Sequence, residues 1–151
     1  MSKLSTERLN VDADLLADSQ DEDTDAHLSW AEVREQLDEL SRLQSNWDSY
    51  GAHPIAAHTI QKAERLLVVI CDALRSSFGE RALPTDVVPV ADGTVHLCWE
   101  SESGELTLKV VGDGPLGYFQ VDRSDGTRRT SGDSDIAESV ALHLVTAALA
   151  A

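Results

Sequence analysis

Four things are scarce or missing in this chain: cysteine, positive charge, long apolar runs, and any residue pattern that assembles a nucleophile. Cysteine occurs twice in 151 residues, as Cys71 and Cys98. There is no CxxC spacing and no His/Cys cluster, which excludes a disulfide scaffold and a tetrahedral zinc site. Both read as small buried hydrophobes in a reducing compartment. Lysine and arginine number 12 against 27 acidic residues, a formal charge of −15 with a pI near 4.5. Such a field repels phosphate backbones and anionic lipid heads, so direct binding of nucleic acid or membrane is disfavoured and a basic protein partner is favoured. The N-terminal run lacks the apolar core of a secretory signal, and no stretch approaches the roughly 18 apolar residues of a membrane span. The expected location is the cytoplasm.

What is present suits one domain, since 151 residues with 42% hydrophobic content supply a single core. Residues 1–28 carry eight acidic residues against Lys3 and Arg8, a net −6, with no aromatic residue. This composition predicts a flexible acidic arm, with Leu4, Leu9, Leu15 and Leu16 as a weak apolar set that could order on a partner. The ordered domain is expected over 29–151. Ser29 and Glu32 form a capping box, and Trp30, Val33, Leu37 and Leu40 recur at helical spacing behind it. A second helix is expected from about Pro54 to Phe78, with Pro54 in its first turn and Gly79 stopping it.

Beyond Asp86 the period changes from helical to alternating. Val88–Val90, Val95/Leu97/Trp99, Leu106/Leu108/Val110 and the "YFQVD" run predict an antiparallel meander joined at Asp92-Gly93, "SESG" and "GDGPLG". "DGTRRT" adds a short edge strand, and Pro89 marks the first strand as the other edge. A C-terminal helix is expected to be capped by Asp133 or Ser134, with Ile136, Val140, Leu144 and Ala148 as its stripe and Val145 beside it. The predicted fold is α+β: a four- to five-stranded antiparallel meander, two N-terminal helices and a C-terminal helix, packed mainly on one face.

The residues with chemical potential fall in three places. In "NWDSYGAHP" the types fit a tight structural corner: Asn46 and Asp48 to accept local amides, Gly51 for a positive φ, Pro54 to begin the next helix, and Trp47 and Tyr50 to close the end of the core. A second reading of the same stretch is a small enzyme or ligand site around Asp48, Tyr50 and His53, an acid/base pair with a phenol beside it. No serine or cysteine elbow accompanies it, so no catalytic residue is assigned. Asp21, Glu22, Asp23 and Asp25 make an acidic run that lacks the glycine and closing glutamate of a calcium loop; no metal and no cofactor are assigned. The sheet face that alternates away from the core would carry Thr94, His96, Cys98, Thr107 and Lys109. "RSDGTRR", with Arg123, Arg128 and Arg129, is a basic cluster suited to the acidic arm or to a partner's carboxylates.

The run "NWDSYGAHPI", followed by "AERLL", "VVPVADGTVHLCWE" and "GELTLKVVGDG", resembles a group of small uncharacterised bacterial proteins. These share an NWDGYGAxPI element and a helix ahead of a PxxDGG strand ending in tryptophan. The likeness covers roughly Leu37 to Gly114 and departs at Ser49 and Thr94, where that pattern has glycine. It implies one folding unit spanning corner and meander and carries no activity with it. The function expected from the sequence is a non-enzymatic acidic binding protein of the antitoxin, immunity or regulatory-subunit kind, engaging a basic protein through its charge, its arm and a sheet face or edge. The enzyme or ligand site at the corner is one alternative, and a homodimer through the sheet edge or the C-terminal helix is another.

Overall fold

The computed structural model describes residues 27–150. The acidic run Asp21, Glu22, Asp23 and Asp25, with nearly all of the expected arm, lies outside the described residues. Leu28 belongs to the folded unit: its amide donates to the Pro84 carbonyl (2.8 Å), and its side chain packs against the core.

Helix α1 spans Trp30–Ser41 and opens on the expected reciprocal cap. The Glu32 amide donates to Ser29 Oγ (3.2 Å) and the Ser29 amide to Glu32 Oε1 (2.9 Å), which satisfies two amides that a helix start leaves free. Val33, Leu37 and Leu40 are buried, and Arg34 stacks over the half-buried Trp30 ring at 5.5 Å.

Helix α2 spans Ala57–Phe78, three residues later than the sequence suggests. Pro54 serves an extended segment instead of a helical turn. The His53 amide donates to the Ala91 carbonyl (2.8 Å), and Ala52 and Ile55 are buried, so this segment is tied down alongside the hairpin turn before it can coil. The first turn of α2 is then held by the "GDGPLG" loop. Lys62 Nζ donates to the carbonyls of Val111 (2.7 Å) and Gly114 (2.6 Å), and a Cβ at Gly112 would lie 2.4 Å from Thr59 Oγ1. Gly79 (φ +61°) ends α2 as expected, and a 3-10 turn over Gly79–Ala82 follows.

Five strands come next: β1 Asp86–Pro89, β2 Val95–Ser101, β3 Gly104–Val110, β4 Leu116–Asp122 and β5 Arg129–Ile136. Each pairs antiparallel with its sequence neighbour, so spatial order equals chain order and β1 and β5 are the edges. Paired residues share a face. The register sets Val87, Leu97, Leu108 and Tyr118 abreast in one row and Trp99, Leu106 and Gln120 in another. Val95, Leu97, Trp99, Leu106, Leu108 and Val110 are all buried, in one cluster with Leu66, Leu67, Ile70 and Leu74 of α2 and Val33 and Leu37 of α1. The architecture is α+β, a five-stranded antiparallel sheet with helices before and after it.

Helix α3 spans Glu138–Ala150, so neither Asp133 nor Ser134 caps it. Asp133 pairs with Tyr118 and Ile136 with Leu116, and an irregularity between them lets β5 continue to Ile136. Ladder pairing here overrides the local turn signal: Asp133 Oδ1 accepts the Asp135 amide (3.1 Å) within the strand. The buried positions of α3 are Ala141 and Val145; Leu144 and Ala148 are half-buried against the core and Val140 is 41% exposed. The expected stripe is therefore rotated, because the helix starts later and from a different heading.

Two outcomes follow for stability. Ser49 sits at φ +66°, a left-handed conformation that costs a non-glycine residue roughly 1–2 kcal/mol, against the 0.4–1 kcal/mol that glycine loses in the unfolded chain. Ser49→Gly should stabilise the protein by about 0.5–1 kcal/mol in urea unfolding, and an unchanged or lowered midpoint would contradict that. A Cβ at Gly104 would lie 2.1 Å from the Val121 carbonyl oxygen, a backbone atom of the paired strand. Gly104→Ala should cost about 3 kcal/mol by the same assay, as overpacking against a fixed neighbour does.

Candidate functional site

The corner between α1 and α2 is held by its own backbone. Asn46 and Ser49 both adopt positive φ, as does Gly51 (φ +85°). Asn46 Oδ1 accepts the Gly51 amide (2.6 Å), the Asn46 amide donates to the Ala52 carbonyl (2.7 Å), and Asp48 Oδ1 accepts the amides of Tyr50 (2.8 Å) and Ala52 (3.1 Å). Trp47 Nε1 donates across the loop to the His53 carbonyl (2.8 Å). Tyr50 does not close the core; it is 91% exposed. Asp48 fixes the Tyr50 backbone, and the phenol is left in solvent. Among the described residues no hydrogen bond or ion pair joins the side chains of Asp48, Tyr50 and His53, and His58 Nε2 pairs instead with Asp113 (3.3 Å). The corner arrangement is one of turn geometry, with the carboxylate already engaged.

On the sheet, His96 and Lys109 stand directly opposite one another, as do Cys98 and Thr107. His96, Cys98 and Thr107 are half-exposed and Lys109 is exposed, so this row is reachable by solvent; Phe119, paired with Thr107, is 44% exposed. Burial, with the Lys109 charge second, holds the His96 imidazole below its ordinary pKa of 6.5, against a smaller opposing pull from Asp92. Burial raises both thiols, that of Cys71 to about 11, so neither is a thiolate nucleophile at neutral pH. Among the described residues no group of three or more His, Cys, Asp or Glu side chains could hold a metal ion.

The basic cluster occupies the β4–β5 turn. Arg123 reaches back to β2 and β3: its guanidinium donates to Glu105 Oε2 (3.3 Å) and to the Ser101 carbonyl (3.3 Å). Arg129 pairs with Asp125 Oδ2 (2.5 Å), and Arg128 is exposed. Hydrogen bonds from Ser124 and Thr127 hold the Asp122 and Asp125 carboxyls below the usual carboxylate range. His96 and Lys109 lie in the strand row and the three arginines at the turn, so the structure puts these candidates in two places.

A cavity of about 240 Å³ lies where the 3-10 turn, the ends of β2–β4 and the last turn of α3 meet. Trp99, Leu83 and Leu106 form apolar walls, Gln120 and Asp122 polar ones, and Ala147 to Leu149 of α3 the far side. Trp99 Nε1 is engaged by the Ala82 carbonyl (3.0 Å), and Arg81 Nη2 donates to the Leu149 carbonyl (3.2 Å), a cation placed on the negative end of α3. This cavity was not anticipated. Its one signal in the sequence is "YFQVD", where Gln120 and Asp122 occupy positions of the same parity as the inward Tyr118.

Comparison with known proteins adds no relative: no family model, no curated protein and no solved structure matches the chain.

The depressed His96 pKa has a consequence for stability. The unfolded chain binds a proton near pH 6.5, whereas the folded protein resists it until lower pH, so stability should fall as pH drops below 6.5. His96→Gln should flatten that slope in unfolding series run between pH 7 and pH 5. An unaltered slope would mean that His96 is not its source.

Proposed function

We propose that this protein is a non-enzymatic acidic binding protein, of the antitoxin, immunity or regulatory-subunit kind, that engages a basic protein partner in the cytoplasm. The observation that carries the reading is the charge: −15 overall, of which residues 1–28 hold −6. A field of that sign and size accelerates encounter with a cationic surface and repels nucleic acid and anionic membrane. In this reading the three helices cover the apolar face of the sheet. The row His96, Cys98, Thr107, Lys109 and Phe119 is then left as a docking face. The exposure of that row and the shared cluster of helical and inward strand residues support this arrangement.

The edge strand β5 offers a second contact region. Seven of its eight residues, Arg129 to Asp135, are exposed and among the described residues it has one neighbour, β4, which leaves an outer side suited to a partner's strand. Arg123, Arg128 and Arg129 at its start meet carboxylates of the partner or of the chain's own N-terminal segment. Asp21, Glu22, Asp23 and Asp25 supply the complementary charge to a basic surface.

The test is affinity capture from the native host with the full chain, and with a variant in which Asp21, Glu22, Asp23 and Asp25 are replaced by Asn and Gln, each washed at low and high salt. One stoichiometric basic partner, weakened in the variant and released by salt, is the expected result. Recovery of a second copy alone would support a homodimer in place of this reading.

A further inference from the structure

The cavity beside Trp99 is bordered by His27, the first described residue. The segment 1–26 is therefore joined to the described residues at the rim of this cavity. Their apolar residues include Leu4, Leu9, Leu15 and Leu16, and their acidic residues number eight. Leu16 is 11 residues from His27, a reach of up to roughly 40 Å for extended chain, so the cavity is well within range.

The cavity matches that segment in two respects. Its walls at Leu83, Trp99 and Leu106 are apolar. Its surroundings carry basic groups: Arg81 lines it, and Arg129 is the ladder partner of the lining residue Asp122. The pair Arg129 makes with Asp125 is solvent-exposed and easily exchanged. Glu100 and Glu105 also contribute to the lining, but strand alternation from Trp99 and Leu106 turns their side chains to the other face.

We propose that this cavity is the binding site for the chain's own N-terminal segment, residues 1–26. Leucines of the segment fill the apolar part, and its carboxylates meet Arg81 and Arg129. Tethering makes the contact intramolecular, with an effective concentration in the millimolar range, so a modest intrinsic affinity suffices. A basic partner and these arginines then compete for the same carboxylates. That last consequence rests on the function proposed above; the docking itself does not.

The experiment is heteronuclear NMR of the full chain, comparing the unsubstituted protein with L15S/L16S at two protein concentrations, and at about 0.05 and 0.5 M salt. The expected result is a shift of the Leu83, Leu106 and Ala148 amides and the Trp99 indole in L15S/L16S. Salt should move the same resonances in the same direction, and dilution should change none of them. Unmoved cavity resonances overturn the proposal, and so do shifts confined to other residues. Shifts that vanish on dilution also overturn it, since they would place a second copy in the cavity. No partner protein enters the measurement, so its failure is distinguishable from failure of partner capture.

Discussion

Residues directly opposite one another in an antiparallel ladder point to the same side, and the structure depends on that constraint being met in β2 and β3. With Leu97 abreast of Leu108 and Trp99 abreast of Leu106, one face of the sheet becomes a continuous apolar surface. A slip of one residue would send His96, Cys98, Thr107 and Lys109 into the core and the leucines into water. The apolar face in turn gives α2 its buried side, Ala63, Leu66, Leu67, Ile70 and Leu74, and α1 joins the same cluster through Val33, Leu37 and Leu40. Trp99 ties the sheet to the 3-10 turn through the Ala82 carbonyl, so the hinge between the helical and the strand halves is itself anchored in the ladder.

What could be read from the residues was whatever rests on local period or local hydrogen bonding. The alternation in β2 and β3, the Ser29–Glu32 cap, the stop at Gly79 and the turn at Asp92-Gly93 all belong to that class. The misread features have a common cause, competition from distant partners. Pro54 has the φ of a first helical turn, but a backbone bond from His53 to Ala91 keeps its segment extended. Asp133 has the chemistry of a helix cap, but Tyr118 holds it in a strand. Tyr50 reads as a core aromatic, but the turn built by Asp48 leaves it outside.

Candidate sites follow the same division. The corner's residue types specify its hydrogen bonds almost one by one, because each bond spans six residues or fewer. The cavity brings together Arg81 and Leu83, the strand ends near Leu106 and Gln120, and Leu149, which no local pattern relates. Its polar lining at Gln120 and Asp122 interrupts the alternation at one end of the sheet, where the apolar face gives way to a mixed surface. The charge is distributed on a similar plan, with the acidic excess spread along the chain and the arginine cluster confined to one turn.

The two edges of the sheet are unequal. β1 is four residues long and ends at Pro89, which has no N–H to offer, whereas β5 runs for eight residues with its outer side unpaired among the described residues. An open fibre grows by joining one edge of a subunit to the opposite edge of the next, and so needs both. Here the two edges differ twofold in length, so a strand laid along β5 would leave only the short, proline-ended β1 for a further copy to join. The inequality gives the described sheet the proportions of a chain terminator: one long edge, and an opposite edge of four residues closed by a proline.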